Sequence, residues 1–309
     1  MKFKPYREKL KTMIRFINSR LPPDSKKLSI KSFDGIETFL KMNAKENIEN
    51  NTKQLEQEIS FAKLGIYCVG MMALSVSQNN SEENVLKLEW LAHPNGLDPN
   101  AIFQTQVIEI ANYAVSILRL VQEGLDSPAR SLVRVMTELT QQTLVTLSSK
   151  EEMLLYIAPS TSKEANETWI KQFGRGRLSK KLSLLEERLG FDDEIIKLMH
   201  SERQDYFELF SQSVHNSFIT ALVGSHTFPY DDEESHIALY GGTTNSVGTP
   251  LGQLNFNLWH FIVFLISLIQ KIHDVDIESL KSAPWLDVWA IYFILSDLYM
   301  ELYHPESAP

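Results

Sequence analysis

Cysteine is almost absent from this chain of 309 residues, which contains one, Cys68. A single cysteine cannot form an internal disulfide, so the sequence excludes a disulfide-stapled secreted domain and is typical of a reducing compartment. The first residues are charged and lack the apolar segment of a secretory signal peptide. Glycine and proline are also sparse, at 13 and 12 residues, which disfavours a turn-rich all-β fold. We therefore expect a helical protein of the cytoplasm.

Metal-binding and cofactor-binding motifs are missing as well. The eight histidines are scattered, and none forms a metal-ligand pair such as H-E-x-x-H. The glycine-containing segments lack the G-x-x-x-x-G-K-[ST] spacing of a phosphate-binding loop. The sequence predicts no metal ion and no cofactor, and it does not decide whether the protein is an enzyme.

The sequence also lacks an uninterrupted apolar run long enough to cross a lipid bilayer. The uninterrupted run Phe261–Ile269 is much shorter than the about 20 residues that a transmembrane helix needs. We therefore expect no transmembrane segment and assign this run to the core. An aromatic cluster between Trp259 and Phe293 is expected in the core or, in part, on a homodimer surface.

The net charge of −9 is distributed unevenly along the chain. Residues 1–27 carry +7, so residues 28–309 carry −16, and such an acidic body disfavours non-specific binding of nucleic acid. The basic N-terminus is predicted to form an amphipathic helix, because its apolar residues recur at helical spacing before two prolines: Leu10, Met13, Ile14, Ile17 and Leu21, then Pro22 and Pro23. Two interpretations stay open: the helix docks on the acidic body, or it contacts nucleic acid, an anionic membrane surface or a partner protein.

Helical periodicity runs through most of the remaining chain, which predicts an all-α fold class. We expect a helical bundle of about eight to ten helices with short connections. The domain division is a basic N-terminal helix and linker at residues 1–43, followed by a single helical-bundle domain at residues 44–309. Residues 226–249 lack a helical period and are rich in glycine, threonine and aspartate, which predicts an irregular excursion with room for a short hairpin.

A central helix of the bundle is predicted from Asp126 to Ser148. Ser127 and Pro128 suit its start, since a serine side chain caps the first turn and proline lacks only an N–H that this turn does not use. Arg134 and Glu138 lie one turn apart, away from the main apolar stripe. Charges on a central helix must be paired or face a cavity, because unpaired burial is costly. Arg134 and Glu138 are therefore candidate catalytic residues.

A second polar group interrupts the apolar pattern of the helix predicted at about residues 193–223. Ser211 and His215 share one face of this helix, one turn apart. The segments L-V-R-V-M-T-E-L (132–139) and Y-F-E-L-F-S-Q-S-V-H-N-S (206–217) together resemble a bacterial family of all-helical proteins that is catalogued as a domain of unknown function.

That family combines an arginine and a glutamate one turn apart on one helix with the pattern S-x-x-V-H-x-S on another. The matching positions in this chain are Arg134, Glu138, Ser211 (or Ser213) and His215. The resemblance covers roughly residues 100–225. It implies a helical fold and a polar site at these positions, and it implies no established activity.

These residues suggest two different functions. In the first, the protein is a binding or structural module in which Arg134, Glu138 and His215 form a polar network or a ligand pocket. In the second, it is a metal-independent ribonuclease or toxin of a bacterial defence system, remotely similar to the HEPN superfamily, which cleaves RNA with an arginine and a histidine on one helix. The chain departs from that pattern, because Arg203 lies too far from His215. A composite site would then need Arg134 to bind phosphate and His215 to act as acid and base.

A basic, glycine-punctuated segment at residues 171–181 adds further candidates for ligand binding. Its composition suits contact with an anion or with nucleic acid at the start of a helix. We therefore keep RNA as a candidate partner. The candidate ligand-binding residues are Ser211, Lys171, Arg175 and Arg177.

Overall fold

The computed structural model is a bundle of α-helices, and it describes residues 7–31, 36–76, 98–214, 218–227, 236–238, 240–242, 245–280 and 282–305. Its twelve described helices are α1 (Arg7–Arg20), α2 (Ile36–Gln54), α3 (Glu56–Ser75), α4 (Pro99–Gln122), α5 (Asp126–Leu147), α6 (Lys150–Ile157), α7 (Ser162–Gln172), α8 (Arg177–Leu189), α9 (Asp193–Val214), α10 (Phe218–Ser225), α11 (Gly248–Lys271) and α12 (Ala283–Tyr303). The all-α prediction is confirmed.

The predicted number of about eight to ten helices was slightly too low, and one long helical pattern is divided in the structure. Leu55 has φ −116° and ψ 36°, which separates α2 from α3 although the backbone hydrogen bonds on either side of it continue. The pattern predicted at about 193–223 corresponds to α9, which is described as far as Val214, and to α10, which is described from Phe218, with residues 215–217 outside the described ranges. Helix α2 begins at Ile36, within residues 1–43, which are predicted as the N-terminal helix and linker.

Helix α11 is the innermost element of the bundle, and its residues 250–262 and 264–269 are all buried. It packs against α3, α4, α5 and α12. Helix α5 lies between this core and an outer layer, because its other sides contact α6, α8, α9 and α10. The segment predicted as central therefore separates the core from the layer in which the candidate site lies.

The start of α5 differs from its prediction. The helix begins at Asp126, and no side chain caps its first turn. Instead, Arg130 donates from Nε to the Asp126 carboxylate at 2.8 Å, and both side chains are buried. The expectation that Ser127 caps this helix was wrong, because the buried ion pair stabilises a first turn that starts one residue before the serine.

The irregular excursion after α10 holds a small antiparallel pairing. His226–Thr227 and His236–Ile237 form two-residue strands, and a 3-10 turn at Asn245–Val247 leads into α11. The Asn51 side chain donates to the carbonyl oxygens of both Gln122 and Gly242, which attaches the described part of the excursion to the end of α4.

The expectation of no transmembrane segment was wrong. Within the described ranges, α3, α4 and α11 are long and apolar enough to cross a membrane. The prediction considered one uninterrupted apolar run, whereas α11 extends that run with uncharged residues, so that a full membrane-spanning length carries few charges. In the bundle, 94% of the apolar window of α11 is buried by the rest of the protein.

Candidate ligand-binding cleft

A cleft of about 440 Å³ opens between α5, the α7–α8 connection and α9. Its volume lies within the range of about 300–1,000 Å³ that is usual for small-molecule sites. Three elements supply its lining: Arg134, Glu138 and Gln141 from α5; Trp169, Phe173, Gly174, Arg175, Gly176, Leu178 and Ser179 around the α7–α8 connection; and His200, Arg203 and Gln204 from α9. The cleft therefore combines cationic, amide and aromatic side chains.

Arg134 and Glu138 form an ion pair along one edge of the cleft. Arg134 donates from Nη2 to Glu138 Oε1 at 2.5 Å, and both side chains are partly buried. Burial lowers the pKa of Arg134 from its usual value, and the neighbouring Glu138 carboxylate opposes that shift. Arginine nevertheless stays protonated in proteins, so the cleft keeps a cation that the carboxylate holds in place.

The α7–α8 connection presents a helix start to the cleft. Arg175 and Gly176 have φ of 56° and 78°, so the backbone turns through the left-handed region immediately before α8. Glycine adopts this conformation without steric cost, and the N–H groups of Arg177 and Leu178 at the start of α8 donate to the carbonyl oxygens of Gly174 and Phe173. This end of α8 carries the positive pole of the helix dipole, which favours a bound anion.

Arg203 belongs to a polar network beneath the cleft. It pairs with the buried Glu186 of α8, and its Nη1 lies 3.2 Å from Nε2 of His260 on α11. Because arginine only donates, His260 Nε2 must accept this hydrogen bond, which requires a neutral imidazole. Burial first, and then the charge of Arg203, hold the pKa of His260 well below its usual value.

The network leaves two buried polar atoms without partners among the described residues. Nη2 of Arg203 and Oε2 of Glu186 are buried, and neither makes a hydrogen bond. The Arg203 side chain is only 8% exposed. An unpaired buried donor or acceptor costs about 1–3 kcal/mol, so this arrangement favours a further partner at Arg203.

Sequence reasoning did not single out Glu186, His200 or Arg203 as site residues. A signal for the buried pair was present, because both charges lie in register with apolar stripes. Glu186 shares a face of α8 with Leu182 and Leu189, and Arg203 follows Met199 by one turn on α9. A charge on an apolar stripe indicates a buried ion pair, although it does not reveal the partner.

The structure brings some of the predicted site residues together and separates others. Arg134, Glu138 and Arg175 line the cleft, whereas Lys171 and Ser211 do not. Lys171 is exposed to solvent, and Ser211 is partly buried and lies further along α9.

Arg177 does not line the cleft. It donates from Nη1 to the carbonyl oxygens of Ile170 and Gly174, at 3.3 and 3.1 Å, so it stabilises the end of α7. His215 lies outside the described residues.

The charge of the cleft opposes that of the rest of the protein. Three arginines face or underlie it, against the two carboxylates Glu138 and Glu186, within a body of net charge −16 beyond residue 27. A locally positive concave site of this kind attracts anions. Trp169, Phe173 and Leu178 supply apolar surface beside the charges, so the lining suits a small anion with an apolar part.

Comparison with known proteins gives no family for this chain: no protein-family model, no curated protein and no solved structure matches it.

Proposed function

We propose that this protein is a binding module whose cleft takes a small organic anion, such as a phosphate ester with a flat ring. The observation that carries the proposal is the convergence of Arg134, Arg175 and the start of α8 on one cleft of an otherwise acidic protein. Arginine donors and helix N-termini are the groups that proteins use for phosphate and carboxylate.

Arg203 supports the same function from beneath the cleft. It lines the cleft as a third arginine, and its positive charge adds to the attraction that Arg134 and Arg175 exert on an anion. Glu138, Gln141 and Gln204 add acceptors for hydroxyl or amine groups of the same ligand. The neutral part of the ligand would lie against Trp169 and Phe173, where aromatic faces favour stacking.

A ligand titration of the full chain tests this function. We expect adenosine monophosphate to bind more tightly than either inorganic phosphate or adenosine, because only the nucleotide uses both the arginines and the aromatic wall. Isothermal titration calorimetry measures the affinities, and the melting temperature rises if the folded state binds the nucleotide. Arg175→Ala should weaken binding by about tenfold or more, as expected for a charge-assisted hydrogen bond.

Lys171→Ala is the matched control, because Lys171 is a nearby cation that does not line the cleft. We expect this variant to bind as the wild type does. An equal loss in both variants would mean that general charge attraction, and not the cleft, binds the nucleotide. No binding of phosphate, adenosine monophosphate or an aromatic carboxylate would overturn the proposal.

The alternative function is metal-independent RNA cleavage. One observation favours it: His200 lines the same cleft as Arg134, and a histidine beside a phosphate-binding arginine can act as acid and base. Incubation of RNA with the wild type, Arg134→Ala, His200→Ala and His215→Ala separates the two functions. Under the binding proposal the RNA stays intact with every protein. Cleavage that is lost in a folded histidine variant would make the protein a nuclease.

A further inference from the structure

Helix α1 presents apolar side chains to solvent. Ile14 is its one buried residue, whereas Met13, Phe16 and Ile17 are 55%, 48% and 37% exposed. Lys9 and Arg20 lie on the same face as Met13 and Phe16, because the four residues recur at i, i+4, i+7 and i+11. The outward face of α1 is therefore apolar in its middle and cationic at both ends.

The two cations of this face, Lys9 and Arg20, make no ion pair with a carboxylate among the described residues, while Glu8, the one acidic residue of α1, pairs with Lys11 at 2.6 Å. Arg20 instead lies over the ring of Phe16, 4.0 Å from its centroid. Lys9 and Arg20 are thus displayed next to exposed apolar groups, in a segment whose sequence carries +7 over residues 1–27 against −16 in the rest of the chain.

We propose that α1 docks the protein on an anionic lipid surface. Met13, Phe16 and Ile17 enter the boundary between headgroups and acyl chains, and Lys9 and Arg20 contact lipid phosphates. An amphipathic helix with a basic polar face binds membranes through these two contributions together, apolar burial and attraction to anionic lipid. The proposal concerns a surface separate from the cleft and goes beyond the binding function proposed above.

The composition of the face favours lipid over nucleic acid. Met13 and Ile17 offer no hydrogen bonds and no aromatic ring, so contact with RNA would bury neither of them productively. A bilayer accepts all three apolar side chains. The acidic remainder of the chain is repelled by an anionic surface, which would orient the protein with α1 towards the membrane.

Co-sedimentation of the full chain with vesicles tests the proposal. We expect binding to phosphatidylcholine vesicles that contain phosphatidylglycerol, and little binding to phosphatidylcholine alone. Binding should weaken as the salt concentration rises towards about 1 M, where the Debye length is only about 3 Å. Reversal of both flanking charges, Lys9→Glu with Arg20→Glu, should reduce affinity at least about tenfold. Met13→Ser with Phe16→Ser should also reduce it, although no charge changes.

Matched variants at other exposed positions keep the test specific. Lys163→Glu with Lys197→Glu changes the net charge by the same amount, and Leu184→Ser with Leu222→Ser removes two other exposed apolar side chains. We expect both controls to sediment as the wild type does, and circular dichroism checks that every variant is folded. Equal sedimentation of the α1 variants and the wild type would overturn the proposal. Failure to bind anionic vesicles would overturn it too, as would binding to RNA but not to vesicles.

Discussion

Arg203 and Glu186 form a buried ion pair beneath the cleft. Replacement of Arg203 by methionine would leave the Glu186 carboxylate buried without a counter-charge. Removal of one partner of a buried pair typically costs about 3–5 kcal/mol, so we expect Arg203→Met to lower the free energy of unfolding by about that amount. Urea unfolding of the variant and the wild type, followed by circular dichroism, measures the difference.

A double variant separates the lost ion pair from lost packing around Arg203. Arg203→Met combined with Glu186→Leu removes both charges, and apolar replacement of a whole buried pair is often neutral. We expect the double variant to recover most of the lost stability. A double variant as unstable as the single one would show that the shape of the arginine side chain, and not its charge, stabilises the contact between α8 and α9.

The two ion pairs at the cleft differ in how far the sequence could reveal them. Arg134 and Glu138 lie on one helix, where their spacing alone brings them together, so the pair was predictable. Arg203 and Glu186 lie on different helices, and no local spacing indicates that they meet. Their burial was visible as a charge on an apolar stripe, but the identity of the partner depends on how α8 and α9 pack.

At the scale of elements, the turn between α4 and α5 receives a close contact from the excursion. Gly124 has φ +73°, and a Cβ at this position would collide with the carbonyl oxygen of Gly242. Gly124→Ala therefore combines a strained backbone with a steric clash. We expect it to lower the free energy of unfolding by at least about 1 kcal/mol, measured by urea unfolding.

Gly70 is the matched control for this substitution. It lies within α3, and a Cβ there would meet nothing within 4 Å. Alanine is favoured over glycine inside a helix, so Gly70→Ala should raise stability by roughly 0.5–1 kcal/mol. The same chemical change is thus expected to act with opposite signs at the two positions. Destabilisation of similar size at both would argue against the contact between Gly124 and Gly242.

His273 connects the end of α11 to the end of α5. Its Nε2 lies 3.0 Å from the carbonyl oxygen of Leu147, and burial lowers its pKa from 6.5 to about 4. Because the unfolded chain binds the proton more readily, the contribution of neutral His273 to stability is complete above pH 6.5. That contribution is lost as the pH falls from 6.5 towards about 4. We expect the free energy of unfolding to decrease over this interval.

The histidine can be isolated from other titrating groups by substitution. His273→Gln keeps a donor for Leu147 but removes the titration, so its stability should depend less on pH. Urea unfolding at about pH 7 and about pH 5 gives, for each protein, the change in the free energy of unfolding with pH. An equal change in both proteins would assign the acid sensitivity to other groups.

Element boundaries followed from sequence where the signals were local. Asp98 and Pro99 begin α4 with a side-chain cap and a proline, and Gly124 follows its end, so both ends carry local signals of helix start and stop. The attachment of the excursion was not predictable in this way. The bond from Asn51 to Gly242 joins residues 191 positions apart, and neither segment carries a local pattern that points to the other.

At the scale of the whole molecule, the fold class was predictable and the arrangement of the helices was not. A helical period gives each helix its buried face, whereas the helix that covers this face is chosen by contacts distant in sequence, as between α3 and α12. An interior helix that is apolar on every side has the composition of a membrane-crossing one. For this reason the length and composition of α11 suit either the interior of a protein or a membrane.

The place of α11 in the chain has a consequence for protein synthesis. Helices α3, α4 and α5 leave the ribosome well before α11 and α12, which cover much of their apolar surface. At about 5–20 residues per second, that surface waits on the order of ten seconds for its covering helices. The early helices can pack on one another during this time, since α3 contacts α4 and α4 contacts α5. The nascent bundle thus stays open at its centre until its innermost helix has been translated.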